Sequence, residues 1–500
     1  MTTAFAPVKK RAQWALVAIH GAAILGALML SSCLTIPQPS SHSALAAPPS
    51  LEKSIEQSMK RGAVKAGDWP YDKWWESFGD DTLNSLVQRA IADSPDMRMA
   101  IARARLAEQM ARAAGAATSF SFSVGGNAAV QRMSENSWIP AEFLKNPYTS
   151  AELSANLGYN LDLWDAARLA AEGKIDAQKA AQAQIHSARL ALSLAITHSY
   201  LRLQNIRRLA DIAGAAVVAR QQSREMIRQK EQQGMETEIN VERAKYGVTL
   251  ITGSLFALRG AEAIERNRLA ALMGAGPDQG LAIANPPGRI RLPAAKAPDG
   301  LTLDLAHRRP DIIAARWRVE AAASAIGASR GAFYPNINLR GLIGLQTVEI
   351  GKLLSGGSLV YNVASAIHLP IFDGGGLRAR LGAAEAEYDM AVETYNSKVI
   401  HAAREAADAL ARIDNLDRRI AVARRALTMA EKIHNLTQVR FDKGVDDYLT
   451  VLQAQDEVYG QARDLARLEG EAAQARVALF AALGGGYHNE RFKTGKMEEQ

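Results

Sequence analysis

The chain contains the same pattern of elements twice, and this internal repeat is the strongest constraint on its fold. Ser94-Pro95-Asp96-Met97 opens a helical stretch that runs into an alternating segment, and Arg309-Pro310-Asp311-Ile312 does the same, with Pro310 215 positions after Pro95. Each copy is predicted to form a helix, two strands and two further helices. No set of catalytic residues is repeated with them. A duplicated unit of this kind indicates an architectural protein and favours a conduit as its function.

Composition favours a long helical protein over several thick globular domains. Aromatic residues make up only 6% of the 500 residues, which leaves few large side chains for separate cores. The formal net charge is +7, but Lys and Arg are interleaved with Asp and Glu along the helical stretches. This interleaving indicates solvated helix faces and argues against a nucleic-acid site.

The N-terminus predicts export from the cytoplasm. Basic residues at 9–11 precede an apolar run from Trp14 to Leu30, which is typical of a secretory signal peptide covering residues 1–32. The sole cysteine closes the sequence Leu30-Ser31-Ser32-Cys33, which resembles a bacterial lipobox. We therefore expect Cys33 to carry a covalent lipid. The residue after it is Leu34, whereas an Asp there would resemble an inner-membrane retention signal, so the outer membrane is favoured. An uncleaved membrane anchor is the alternative.

The next two segments are predicted to be a tether and a packed aromatic cluster. Residues 34–64 are rich in Pro, Ser and Ala, which favours a linker or extended tether. Four aromatic residues then occur close together before a helix expected to start near Asp80, and we predict that they pack against protein and do not form a ligand cage: Trp69, Trp74, Trp75 and Phe78.

Four segments alternate between apolar and polar residues as half-buried strands do. The clearest case has Leu153, Leu157 and Tyr159 on one face and Asn156 and Asn160 on the other. The four predicted strands cover residues 119–130, 151–163, 333–345 and 359–371. Each is long enough for the roughly 9–11 residues that a tilted strand needs to cross a bilayer. Four strands are too few to close a barrel, since the smallest single-chain barrels have about eight. Either they form half of a soluble sandwich or several chains share one barrel.

Two long helical stretches choose between those alternatives. Residues 166–233 and 377–443 contain no proline, and rods of roughly 67 residues would be about 100 Å long. A shorter helix is predicted after each rod, at 237–273 and 446–483. A secreted chain that joins such rods to alternating strands favours a membrane barrel continued by a helical tube.

Several residues are predicted to define the ends of these helices. A proline at the first helical position loses no hydrogen bond, a carboxylate can cap a helix start, and a glycine can adopt the left-handed turn after a helix. The corresponding pairs are Pro95 and Pro310, Asp165 and Asp373, and Gly234 and Gly444. The run Gly374-Gly375-Gly376 lacks the following Gly-Lys-Ser/Thr of a phosphate loop, so we expect only a bend there.

The chain resembles the TolC-like outer-membrane efflux channels, in particular the lipoprotein branch often called NodT-like. The resemblance covers nearly the whole mature chain, and its most specific stretches are Arg308-Arg309-Pro310-Asp311-Ile312, Ala328-Ser329-Arg330-Gly331-Ala332-Phe333-Tyr334-Pro335, Pro370-Ile371-Phe372-Asp373-Gly374-Gly375, and the ten residues from Arg440 to Leu449.

This resemblance implies an α+β membrane protein and a transport function. Three chains with four strands each would share a 12-stranded outer-membrane β-barrel, continued by a periplasmic α-helical barrel. The chain would be a passive exit duct, opened by a periplasmic adaptor and an inner-membrane pump, with the resistance-nodulation-division class favoured. It would be no enzyme and would carry no cofactor besides the lipid on Cys33.

The family also implies a gate just after the second helical turn, at the periplasmic tip. Members narrow the closed tip with a bulky apolar residue and with an Asp four positions later, and the matching positions here are Leu449 and Gln453. A ring of three glutamines would be polar but uncharged. Negative potential would then come from Asp446, Asp447 and Asp456, and closure would also depend on contacts near Phe441.

Together these expectations divide the chain into ten parts. They are a signal peptide (1–32), a lipidated tether (33–68), a first-repeat helical part (69–118), strands 1 and 2 (119–164), first-repeat long helices (165–275), an inter-repeat linker and equatorial segment (276–308), a second-repeat helix (309–332), strands 3 and 4 (333–372), second-repeat long helices (373–484) and a C-terminal tail (485–500).

Two other functions remain open on the sequence alone. A periplasmic coiled-coil adaptor or structural envelope protein would share the long helices but would lack the four alternating strands. An envelope enzyme would need a constellation of reactive residues, and the histidines occur without metal-ligand spacing: His186, His198, His307, His401 and His434. The exported substrate is not predicted by the sequence.

Overall fold

The computed structural model describes residues 43–62, 64–132, 134, 147–285, 291–298 and 301–488. The predicted signal peptide, Cys33 and the last twelve residues lie outside the described residues.

Long helices and a few strands make up most of this part of the chain. The α-helices, in chain order, are α1 (Glu52–Lys60), α2 (Asp81–Asp93), α3 (Pro95–Ala116), α4 (Ala166–Gln232), α5 (Glu238–Leu272), α6 (Pro277–Leu281), α7 (Leu301–Arg308), α8 (Pro310–Gly331), α9 (Gly376–Asp442) and α10 (Tyr448–Ala482). The strands are β1 (Lys65–Ala66), β2 (Ser121–Gln131), β3 (Tyr148–Leu161), β4 (Lys296–Ala297), β5 (Asn336–Thr347) and β6 (Leu359–His368). Across the described residues, no helix combines the length and the apolar character needed to span a membrane.

The repeat predicted from the sequence is present in these elements. Helices α4 and α9 have 67 residues each, and α5 and α10 have 35 each. Helices α3 and α8 begin at Pro95 and Pro310, as predicted. The chain divides into two compact units, one formed by residues 108–177 and 318–392 with residue 43, and the other by residues 44–107, 178–317 and 393–488.

The first unit contains a four-stranded antiparallel sheet in the order β2-β3-β5-β6. The register pairs Val124 with Ala155, Leu153 with Leu345, and Ile343 with Tyr361. These apolar positions lie on one face, where Val124 and Tyr361 are 64% and 78% exposed. The predicted alternation is therefore correct, and its apolar face is uncovered in the single chain.

The connections from strands to long helices correct one predicted cap. Asp373 accepts hydrogen bonds from the backbone N–H groups of Gly375 and Leu377, so it caps α9 as predicted. At the start of α4 this role belongs to Asp162, whose carboxylate accepts from Ala167 and Arg168 at 3.0 and 2.7 Å. Asp165 instead adopts a left-handed conformation with φ 57° and accepts from the Arg168 side chain. The prediction for Asp165 was wrong because the cap is supplied three residues earlier.

The second unit has its main aromatic core where the tryptophans were predicted to pack. Trp74, Trp75 and Phe78 are at most 3% exposed, and the Tyr200 hydroxyl beside them donates to the Asp80 carboxylate at 2.8 Å. Asp80 also caps α2, and the helix begins at Asp81, which agrees with the predicted start near Asp80. Trp69 packs separately: it is half-buried, with the Arg308 guanidinium 4.6 Å from its ring centre. The aromatic cluster is therefore core packing.

The predicted tether is more structured than its composition suggested. Within residues 33–68 the chain forms α1, and β1 pairs in parallel with β4 of the inter-repeat segment. The backbone of Ala44 and Ala46 exchanges hydrogen bonds with the Asn396 side chain at 3.0 and 2.7 Å. The expectation of an extended linker is wrong for these residues, because long-range pairing overrides a loop-like composition.

Candidate functional site

The two turns that join the long helices have the same backbone structure. Gly234 after α4 has φ 71° and Gly444 after α9 has φ 73°. In each turn the glycine N–H donates to a carbonyl three residues back, and the next N–H donates to a carbonyl five residues back: Met235 to Lys230, and Val445 to Arg440. This is the helix-ending motif that glycine favours, since other residues are strained at positive φ. The prediction of two tip turns is consistent with this geometry.

A single apolar cluster connects the two turns, and we call it the turn cluster. Its buried members come from both helical hairpins: Ile227, Val241 and Ala244 from α4 and α5, and Phe441, Tyr448 and Val451 from α9 and α10. Phe441 and Tyr448 are 3% and 1% exposed, with ring centres 6.2 Å apart. The Lys230 ammonium lies 3.6 Å from the centre of the Phe441 ring, a cation–π contact between the hairpins. The turn cluster therefore locks one hairpin against the other.

The carboxylates of the second turn are engaged in local contacts. Arg440 donates to both Asp446 oxygens at 2.7 and 2.9 Å, and this pairing holds the Asp446 pKa below its usual range. Asp447 accepts from the Thr450 hydroxyl at 2.6 Å and from its N–H at 2.9 Å, so it caps α10, and these hydrogen bonds lower the Asp447 pKa. Both groups are therefore ionised at neutral pH, and Asp446 is neutralised by its partner.

A second layer of polar contacts lies behind the turn cluster. The buried Arg220 guanidinium of α4 forms an ion pair with Asp456 of α10, and Gln455 donates to Ser223 at 2.9 Å. Arg220 also lies against Gly247 of α5, where an added Cβ would overlap the guanidinium. Glycine at that position leaves the space that the arginine occupies. These contacts bind α4, α5 and α10 together.

The predicted gate residues lie at this site but do not all belong to its packed core. Phe441 is a member of the turn cluster, as expected. Leu449 is half-buried and Gln453 is exposed, and within the described part of the chain neither belongs to a buried cluster. Sequence reasoning did not identify Tyr448 or Arg220. Tyr448 had a signal, because Tyr448 and Val451 follow helical spacing on one face of α10.

The remaining candidate residues are Cys33 and the histidines. Cys33, the proposed lipidation site, lies outside the described residues. Among the residues that the structure describes, no group of three or more His, Cys, Asp or Glu is arranged to hold a metal ion. His198 contacts Gln474, and the His186 ring packs against Tyr487 with 4.6 Å between ring centres.

The long helices, the alternating sheet and the double turn define a class of outer-membrane conduit, and comparison with known proteins identifies the family. The model of the outer membrane efflux protein family matches residues 86–275 and 302–485. The chain belongs to this family.

Individual relatives agree with this assignment. The chain is 26% identical over 462 residues to "Multidrug resistance outer membrane protein MdtP" of Escherichia coli (strain K12), covering 87% of this chain and 92% of the relative. It is 32% identical over 334 residues to "Fusaric acid resistance protein FusA" of Burkholderia cepacia, covering 65% and 62%. The crystal structure of the outer membrane protein VceC from Vibrio cholerae superposes with a TM-score of 0.78 at 32% identity, covering 84% of this chain and all of that one.

Family membership confirms the predicted fold class and function. The chain is an α+β membrane protein whose four strands belong to a trimeric 12-stranded outer-membrane β-barrel, together with long helices that form a periplasmic helical barrel. It is the passive outer-membrane exit duct of a tripartite efflux system, extends into the periplasm, and works with an adaptor and an inner-membrane pump. It is a channel and not an enzyme.

Proposed function

We propose that the turns at Gly234 and Gly444 form the periplasmic tip of the duct and that the turn cluster holds this tip closed. The observation that carries the proposal is the joint packing of both hairpins around Phe441 and Tyr448, which holds the two turns together. An adaptor that separates the hairpins must expose these buried rings. Such an opening costs free energy in proportion to the apolar area exposed, so the resting duct is closed.

Within this tip, Leu449 and Gln453 narrow the opening as a polar but uncharged constriction. Three contacts support the absence of a strong acidic ring. Asp446 is paired with Arg440, Asp456 with Arg220, and Asp447 caps a helix, so their charges are already engaged. With glutamine at position 453, none of these three carboxylates forms the constriction itself. We propose that cations bind only weakly at this constriction and do not block conduction through the duct.

We expect Leu449→Ala to make the closed duct leak. Loss of the isopropyl group of Leu449 from each of three chains widens the constriction without touching the buried turn cluster, so the trimer should still assemble. The measurement is single-channel recording in planar bilayers, with a roughly fivefold to thirtyfold rise in open probability expected for a loss of about 1–2 kcal/mol of closing free energy. Conductance identical to that of the unsubstituted protein would contradict the assignment of Leu449.

Matched variants separate the gate from general damage. Leu281→Ala makes the same truncation at an exposed leucine of α6 and should leave conductance unchanged. Gly247→Ala should leak, because the new Cβ displaces Arg220 from its place between the hairpins. Gly253→Ala on the same helix meets nothing within 4 Å and should not leak. Leakage in Gly253→Ala equal to that in Gly247→Ala would show that any helix change opens the tip.

We also propose that the signal peptide is removed and that Cys33 carries diacylglycerol and an N-linked acyl chain such as palmitate. The support is the motif Leu30-Ser31-Ser32-Cys33 behind a signal-like segment, and stable anchoring requires more than one lipid chain. Native mass spectrometry of detergent-extracted trimer should give a chain that starts at acylated Cys33. A mature chain of unmodified mass, or one that keeps residues 1–32, would rule out the lipoprotein assignment and its NodT-like branch.

The partner pump is proposed to be of the proton-driven resistance-nodulation-division class, exporting toxic organic compounds. The lipoprotein motif supports the pump class, and relatives named for multidrug and fusaric acid resistance support the substrate class. Crosslinking in native membranes followed by mass spectrometry should recover such a pump with its adaptor. Recovery of an ATP-driven transporter in its place would overturn this part of the proposal.

A further inference from the structure

A large cavity in the second unit is surrounded by arginines. It has a volume of about 900 Å³ and lies among α4, α5, α9 and α10, well removed in sequence from both turns. Five arginines from all four helices line it: Arg202, Arg268, Arg412, Arg419 and Arg467. Its apolar wall includes Leu201, Leu416 and Ala475. A wall that combines guanidinium groups with aliphatic carbon is suited to a ligand that is itself part charged and part apolar.

The positive charge of this cavity exceeds the negative charge available to it. Only two carboxylates line the wall, and both are engaged. Glu471 pairs with Arg467 at 2.6 Å, while Glu265 lies 3.4 Å from Arg202 and accepts from the Ser199 hydroxyl at 2.5 Å. Three arginines remain: Arg268, Arg412 and Arg419 have no carboxylate partner among the residues that the structure describes. Like charges gathered without counter-charges repel one another, so a bound anion would relieve an existing cost.

A buried amide supplies a further polar group. The Oδ1 atom of Asn205 is buried in the cavity wall and has no hydrogen-bond partner in the described part of the chain. The amide packs against Gly470 of α10, where an added Cβ would come within 2.6 Å of the Asn205 Cγ and Nδ2 atoms. Rotation of the amide by half a turn would present its NH₂ group where the oxygen now lies. After that rotation, an oxyanion in the cavity would accept a hydrogen bond from the amide NH₂ group.

We propose that this cavity binds organic anions, with a carboxylate or sulfonate on an apolar body of about one or two rings. Guanidinium groups recognise such oxyanions through paired hydrogen bonds, and Arg412 and Arg419, seven positions apart on α9, would bind the charged end. Leu201, Leu416 and Ala475 would contact the apolar body. Binding itself requires only the folded chain. The role of the cavity as a binding site for anions during export rests on the exit-duct function. Anions would therefore be retained over neutral compounds of the same shape.

Calorimetry on the full-length trimer in nanodiscs tests the site, with 2-naphthalenesulfonate as the probe. We expect saturable binding that weakens as ionic strength rises, since exposed charges are screened by salt. Arg412→Gln and Arg419→Gln should each weaken binding by about fivefold to tenfold, the loss of one partly solvated charge contact. Arg425→Gln removes the same charge from an exposed position of α9 outside the cavity, and should change affinity by less than about twofold. Gly470→Ala should weaken binding without changing the charge.

Several outcomes would overturn the proposal. One is 2-naphthol, the neutral analogue, binding as tightly as the sulfonate. Another is inorganic sulfate competing as strongly as the sulfonate, which would show that the apolar wall contributes nothing. A third is no sulfonate binding together with reduced trimer stability in Arg412→Gln, which would show that the arginines pair with carboxylates of a neighbouring subunit. Unchanged conductance of the same variants in planar bilayers would keep a failed binding site distinct from a failed duct.

Discussion

Gly484→Ala is expected to destabilise the second unit by about 3–5 kcal/mol. Gly484 follows α10 with φ 82°, a conformation that costs any other residue roughly 1–2 kcal/mol. An added Cβ would also overlap the carbonyl oxygen of Arg308 and lie 2.9 Å from its carbonyl carbon. The overlapped atoms belong to the backbone and cannot rotate away.

The surrounding contacts prevent the backbone at Arg308 from shifting to make room. Arg309, the next residue, donates to both Asp311 oxygens at 3.1 and 3.0 Å and to Glu405 at 2.7 Å. A shift of Arg308 would therefore disturb the start of α8 and its tie to α9. Heat-induced dissociation and unfolding of the purified trimer should show the loss as a markedly lower midpoint and a poor yield of trimer.

Gly62→Ala is the matched control for this substitution. Gly62 has φ 74°, but an added Cβ would meet nothing within 4 Å. It therefore isolates the cost of the left-handed backbone, and we expect a loss of only about 1 kcal/mol. Equal losses in the two variants would show that the close approach to Arg308 does not contribute.

Glu469→Gln is expected to cost about 2–3 kcal/mol, because it leaves two arginines without their shared counter-charge. The Glu469 carboxylate of α10 is 6% exposed and accepts from Arg208 of α4 and from Arg424 of α9, the latter at 2.8 Å. We place the loss below the range of a fully buried pair, since Arg424 is half exposed to solvent. Glu457→Gln, at an exposed position of the same helix, should change stability by less than about 0.5 kcal/mol.

The same residue predicts how stability depends on pH. Burial alone would raise the pKa of Glu469, but the hydrogen bonds from Arg424 and Arg208 hold it below its usual range. A carboxylate with a lowered folded-state pKa stabilises the fold above its unfolded value of about 4.3 and loses this contribution as pH falls through the folded-state value. Glu469→Gln should therefore unfold with a flatter acid dependence below about pH 4.3. An unchanged acid profile would show that the carboxylate is not ionised in the native trimer.

Local signals in the sequence predicted most of the helices and strands. Pro95, Pro310, Gly234 and Gly444 act through backbone geometry alone, and each lies where it was expected. The misassigned cap shows the limit of this approach. Asp162 and Asp165 both precede α4, and only the path of the chain leaving β3 decides which carboxylate reaches the helix start. The prediction of an extended tether was wrong for a related reason, since the strand pairing between residues 65 and 296 spans more than two hundred positions.

The candidate site was also predicted only in part from the sequence. Phe441 was identified because it is part of a motif next to a turn. Arg220 and Asp456 lie on different helices and are 236 positions apart in the sequence, and one sequence carries no signal for such a contact. The arginine-lined cavity was missed as well, because its five cations are spread over four helices, where each looks like an ordinary solvated charge.

The open edges of the four-stranded sheet have a genetic consequence. Strands β2 and β6 each pair on one side only in the described chain, so each must find its second neighbour in another copy. A copy whose four strands fold normally is then incorporated beside normal ones even when its helical tip is defective. With equal amounts of normal and defective chains and random assembly, only about one trimer in eight contains three normal chains. Alleles that damage the tip but leave the four strands intact should therefore be dominant over the intact allele.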